Sequence, residues 1–94
     1  MNRPFINVTR EGKPGKKYAC PCCGFNTLPT RGHYDICSVC FWEDDGQDDH
    51  DSEEIRGGPN GELNLVQARL NFRNYGACDK RFVDNIRPPH AEER

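Results

Sequence analysis

Apolar residues fall in short clusters separated by long polar stretches, and only one segment repeats with a helical period. Leu65, Ala68, Phe72 and Tyr75 lie at i, i+3, i+7 and i+10, which predicts a helix over residues 64–75 with one apolar face. Asn64 can cap it, with Gln67 three residues on, and Gly76 suits the position just past its end. Arg73 falls in the last turn, where positive charge suits the helix dipole. Beyond it, Phe82, Val83 and Ile86 suggest a second short turn within a helical segment spanning 62–87.

Upstream, the apolar residues come in pairs and triplets. Tyr18-Ala19, Phe25 to Leu28, Tyr34-Asp35-Ile36 and Phe41-Trp42 bracket two cysteine pairs, a pattern that predicts two short hairpins facing each other. Phe5, Ile6 and Val8 could add an edge strand to an otherwise loose basic arm over residues 1–17. Trp42, Phe72 and Tyr75 are expected to share the main core. The expected organisation is one small α+β domain. A cysteine module over 18–43 packs on one main helix, a long acidic loop fills 44–61, and a tail covers 88–94, where Pro88-Pro89 ends structure and His90 to Arg94 is frayed.

Composition makes a staple necessary. Of 94 residues, 34% are hydrophobic, and nine glycines and seven prolines interrupt the chain. So small and polar a chain buries little apolar surface. A structural zinc site, by contrast, supplies about 10–16 kcal/mol of apparent binding energy.

The cysteines provide the site. Cys20-Pro21-Cys22-Cys23-Gly24 and Cys37-Ser38-Val39-Cys40 place two C-x-x-C pairs 13 residues apart. That is the spacing of a four-thiolate metal site, zinc first and iron second. Two intervening residues let one turn aim both sulfurs at one ion, and Gly24 allows the backbone to fold back after Cys23. Adjacent Cys22 and Cys23 point apart, so the expected ligands are Cys20, Cys23, Cys37 and Cys40, binding one ion per chain. Four thiolates close the coordination shell and leave no position for a reacting water, which argues against an enzyme. His33 could replace a thiolate but reads as an exposed strand residue.

Cys22 and Cys78 are left over, read as a partly exposed thiol and a packed one. A thiol redox protein using this pair is an alternative, although a thioredoxin-like site needs a βαβ setting that this turn-rich region does not offer.

Charge is divided along the chain. Residues 1–34 carry six basic and one acidic side chain, a net of +5; residues 35–62 carry one basic and ten acidic, a net of −9; residues 63–94 carry six basic and four acidic, a net of +2. Seven carboxylates crowd Asp44–Glu54 without matching a calcium-loop pattern. They suggest docking on a basic protein partner, or internally on the basic arm. A nucleic-acid-binding zinc ribbon is a further alternative. It would use Lys13, Lys16, Lys17 and Arg31, although no broad basic face is evident. No apolar run is long enough to span a membrane, and Met1-Asn2-Arg3-Pro4-Phe5 lacks the apolar core of a signal peptide. The cysteines are therefore expected in a reducing cytoplasm, as metal ligands rather than disulfides.

The run Tyr18-Ala19-Cys20-Pro21-Cys22-Cys23-Gly24, followed by Tyr34-Asp35-Ile36-Cys37-Ser38-Val39-Cys40-Phe41-Trp42-Glu43-Asp44-Asp45, resembles the small bacterial cysteine-rich CPCC domain family. The resemblance continues through Gly57-Gly58-Pro59-Asn60-Gly61 and the segment ending Gly76-Ala77-Cys78-Asp79, and covers about residues 18–88. It implies a zinc-ribbon-like module and carries over no catalytic residue. Phe41 stands where a symmetric ribbon has glycine, which puts the second turn in question.

Overall fold

The computed structural model of the chain describes residues 6–94. Strand β1 (Tyr18–Ala19) pairs antiparallel with β2 (Asn26–Leu28), and the turn between them carries the first cysteine pair. The second hairpin is reduced to a single antiparallel bridge between Ile36 and Glu43, with Cys37–Cys40 at its tip. Among the described residues one α-helix, α1 (Leu65–Tyr75), packs on this module.

The start and stop of α1 follow the sequence signals. The Asn64 side chain accepts the N–H of Gln67 at 2.7 Å, and Gly76 ends the helix in the left-handed conformation, its N–H donated to Phe72 O at 2.8 Å. Leu65 and Ala68 are fully buried and Phe72 packs edge-on against Phe25. Trp42 is also fully buried, as expected, together with Leu28 and Val39. Tyr75, however, is 47% exposed and lies outside this core, with the Lys80 ammonium over its ring. The first two turns of α1 cover the module, while the last projects past it.

Three segments expected to be loose are held. In the arm, Arg10 bridges Arg31 and the Val8 N–H is donated to Gly46 O at 2.8 Å. Gly46 permits this approach, since a Cβ there would stand 2.6 Å from Asn7 Cβ. Of the suggested edge strand, Ile6 and Val8 form no strand, and Phe5 lies outside the described residues. The tail 88–94 is not frayed. It closes in a short turn over Ala91–Glu93 beside β2, and Arg87 grips Glu93 through two 2.8 Å bonds. Pro88-Pro89 redirects the chain here rather than ending order.

The acidic loop is folded against the protein's own arginines. Asp44 is fully buried, with Arg31 Nε donating to its Oδ2 at 3.0 Å. Arg31 also reaches Asp48 and the Gln47 carbonyl, Arg56 pairs with Asp51, and Arg69 pairs with Asp49. Internal docking therefore occurs, but on these three arginines rather than on the lysines of the arm.

Candidate metal centre

Each cysteine pair sits in the same turn. In the first, the Gly24 N–H is donated to Cys20 O at 2.8 Å and the Cys20 N–H to Phe25 O at 2.8 Å. In the second, the Phe41 N–H is donated to Cys37 O at 2.8 Å and the Cys37 N–H to Trp42 O at 2.9 Å. Gly24 has φ +83° and Phe41 has φ +71°. The missing glycine therefore does not disrupt the second turn, because Phe41 itself takes the left-handed conformation. Half-buried packing on Phe82, ring centroids 4.7 Å apart, holds it there.

The two turns face each other and bring four sulfurs together. Cys20 Sγ lies 3.6 Å from Cys40 Sγ, Cys23 Sγ lies 3.7 Å from Cys37 Sγ, and all four lie within 4.8 Å of one another. Thiolates at the corners of a tetrahedron about 2.3 Å from a central ion stand about 3.8 Å apart. The four expected cysteines are thus positioned to bind one metal ion. Cys20, Cys37 and Cys40 are buried and Cys23 is half-buried, and none of the six cysteines is in a disulfide.

The surroundings suit thiolates. The Thr27 hydroxyl stands 3.0 Å from Cys37 Sγ. Hydrogen bonds from the Cys20, Cys23 and Cys40 thiols, then from Thr27, pull the Cys37 pKa far below the usual thiol value. The same sharing raises Cys20 and Cys40, where a second and third negative charge would meet the first. A cation at the centre reverses that repulsion, since metal ligation deprotonates a thiol outright.

Cys22 and Cys78 stay outside the tetrahedral set. Cys78 returns to the module as its place after the helix allows, its N–H donated to Cys40 O at 2.7 Å. Cys22 is buried rather than partly exposed, because α1 closes over its turn, with Arg69 Nε donating to Pro21 O at 2.8 Å. Burial, then the neighbouring Cys22, raises the Cys78 pKa to about 12. His33 is exposed beside Glu11 and takes no part in the cluster. Arg31 is buried against Asp44 and is unavailable to a basic surface with Lys13, Lys16 and Lys17.

Asn60 carries a role that sequence reasoning missed. Its amide donates to Glu43 O at 2.8 Å and its Oδ1 accepts the Glu43 N–H at 3.3 Å, so one side chain imitates a paired strand. The only sequence cue was its place in the glycine-rich run Gly57–Gly61.

No helix among the described residues is long and apolar enough to cross a membrane. A family model described as cysteine-rich CPCC matches residues 18–93. No curated protein and no solved structure matches the chain.

Proposed function

The chain belongs to the cysteine-rich CPCC family, and from that premise we propose that it is a non-catalytic zinc-binding domain serving as a protein-interaction module. The observation that carries this reading is the near-tetrahedral spacing of Cys20, Cys23, Cys37 and Cys40. Four sulfur donors in that arrangement suit zinc, and a structural zinc site is a closed one. When bound, the ion supplies folding energy by tying the two cysteine turns together.

What supports an interaction role is how the remaining residues are used. Arg31, Arg56, Asp44 and Asp51 are engaged in holding the loop. Buried Cys22 and Cys78 are poorly placed for thiol exchange, which needs an accessible thiolate. Large apolar side chains are exposed, Ile55 at 60% within the acidic loop and Tyr34 at 55% beside Asp45 in the cavity they share, where a partner could cover them.

Metal analysis with thiol counting, on protein purified without added metal, tests the reading. One zinc per chain, no colour and two unligated thiols that react only slowly are expected. A coloured ferric protein would reassign the metal to iron, and a metal-free protein or one with several disulfides would overturn the structural site.

A further inference from the structure

Between Tyr34, Asp45 and the turn Gly57-Gly58-Pro59 lies a cavity of about 140 Å³. Asp45 and Arg56 are its charged lining residues, and their ionic contacts differ. Asp44 and Asp48 pair with Arg31, and Asp51 pairs with Arg56. Asp45 is only 5% exposed, yet among the described residues it makes no salt bridge. Its Oδ1 accepts the Gln47 N–H at 3.1 Å, and its Oδ2 has only the Asn60 amide at 3.5 Å. Arg56 lines the same cavity but directs donors to the Asp45 carbonyl oxygen, the Asn7 side chain and the Asp51 carboxylate. Burial raises the Asp45 pKa above its ordinary value and outweighs the opposing pull of the Gln47 N–H, the Arg56 charge and the Asn60 amide.

We propose that this cavity receives a lysine side chain of a protein partner, its ammonium on the Asp45 carboxylate and its stem beside Tyr34. The proposal rests on the interaction-module reading and names the chemistry of its partner. One under-used carboxylate oxygen suits a compact ammonium, whereas a guanidinium seeks two oxygens at once. The exposed Tyr34, which lines the cavity, favours a cation further. The region 35–62, with ten acidic residues and one basic, repels phosphate-bearing partners and attracts a basic one. Exposed Ile55, next to Arg56, offers the apolar contact that a protein surface would use.

The test is an NMR titration of the metal-loaded protein with N-acetyl-lysine amide, against its norleucine and arginine counterparts. Saturable shifts at the Asp45, Gly57 and Gly58 amides are expected with the lysine probe. Binding should be about tenfold or more weaker for the norleucine probe, which lacks the charge. Asp45→Asn should weaken the lysine probe to a similar degree. Tyr34→Asn, which tolerates the φ of +67° at this position, should also weaken it and provides a second variant should Asp45→Asn misfold. Equal binding of the norleucine probe, arginine binding as tight as lysine, no effect of either variant, or shifts confined to exposed Glu53 and Glu54 would each overturn the proposal. A metal-loaded protein that ignores the lysine probe rejects this cavity alone. The module reading falls instead on metal analysis.

Discussion

Phe41 holds in the second cysteine turn the left-handed conformation that Gly24 holds in the first, with φ +71° against +83°. An L-residue pays about 1 kcal/mol or more for that conformation. Packing of the Phe41 ring on Phe82 offsets the cost. Two truncations separate the effects. Phe41→Ala loses the ring and keeps the strain, whereas Phe41→Gly loses the ring and relieves the strain. Both should destabilise the metal-loaded protein, the alanine variant by ~2 kcal/mol or more. The glycine variant should be the more stable of the two by about 1 kcal/mol, the reverse of the usual order. Denaturant midpoints at constant metal loading decide it, and an alanine variant more stable than the glycine one would contradict the strained geometry.

The ligand set predicts a sharp division among the six cysteines. Alanine at Cys20, Cys23, Cys37 or Cys40 should abolish stoichiometric metal retention, because three sulfurs cannot close the shell. Alanine at Cys22 or Cys78 should leave one ion per chain. Loss of metal from Cys22→Ala would mean that Cys22, not Cys23, serves as a ligand. Chelation of the wild-type ion should expose Trp42, now fully buried beside the site, and red-shift its fluorescence.

Arg31 and Asp44 form a buried ion pair in the acidic loop, with side-chain exposures of 9% and 1%. Asp44 Oδ2 also accepts the Gly32 N–H at 2.7 Å, so the carboxylate is fixed in place. Arg31→Ala leaves that charge without its counterion and should cost about 3–5 kcal/mol. Arg31→Lys should fall between alanine and wild type, because a point charge cannot reach Asp44, Asp48 and the Gln47 carbonyl together. A loss below about 0.5 kcal/mol for Arg31→Ala in urea unfolding would mean the loop is solvated rather than docked.

What was legible in the sequence was local. Cysteine spacing, the Asn64 cap and the Gly76 stop act within a few residues, and each sits where its spacing placed it. What was illegible depends on distant partners. Nothing near Phe41 announces a left-handed phenylalanine; the cause is Phe82, far along the chain. The acidic run looked free because Arg31 and Arg69, which neutralise part of it, lie outside it. Tyr75 keeps the period of the helix face, but periodicity does not say where the covering module ends. Cys22 was read as partly exposed for the converse reason, since the covering helix is remote in sequence.

Glu93 shows how the tail can be tested through pH. The two bonds from Arg87, followed by the His90 N–H, lower its pKa from 4.5 to about 2. A carboxylate whose folded pKa is depressed adds stability above its unfolded pKa and loses it as pH falls through the folded one. The clamp should therefore contribute fully above about pH 4.5 and fade between there and about pH 2. Protonation of the ligating thiolates acts in the same direction, so a single acid titration cannot isolate the clamp. Comparison with Glu93→Gln does, because the thiolates affect both proteins alike. The variant should be less stable at neutral pH, and the gap should narrow only below about pH 4.5. A gap that is constant across that range would show that the Glu93 charge contributes nothing, leaving the tail held by packing beside β2.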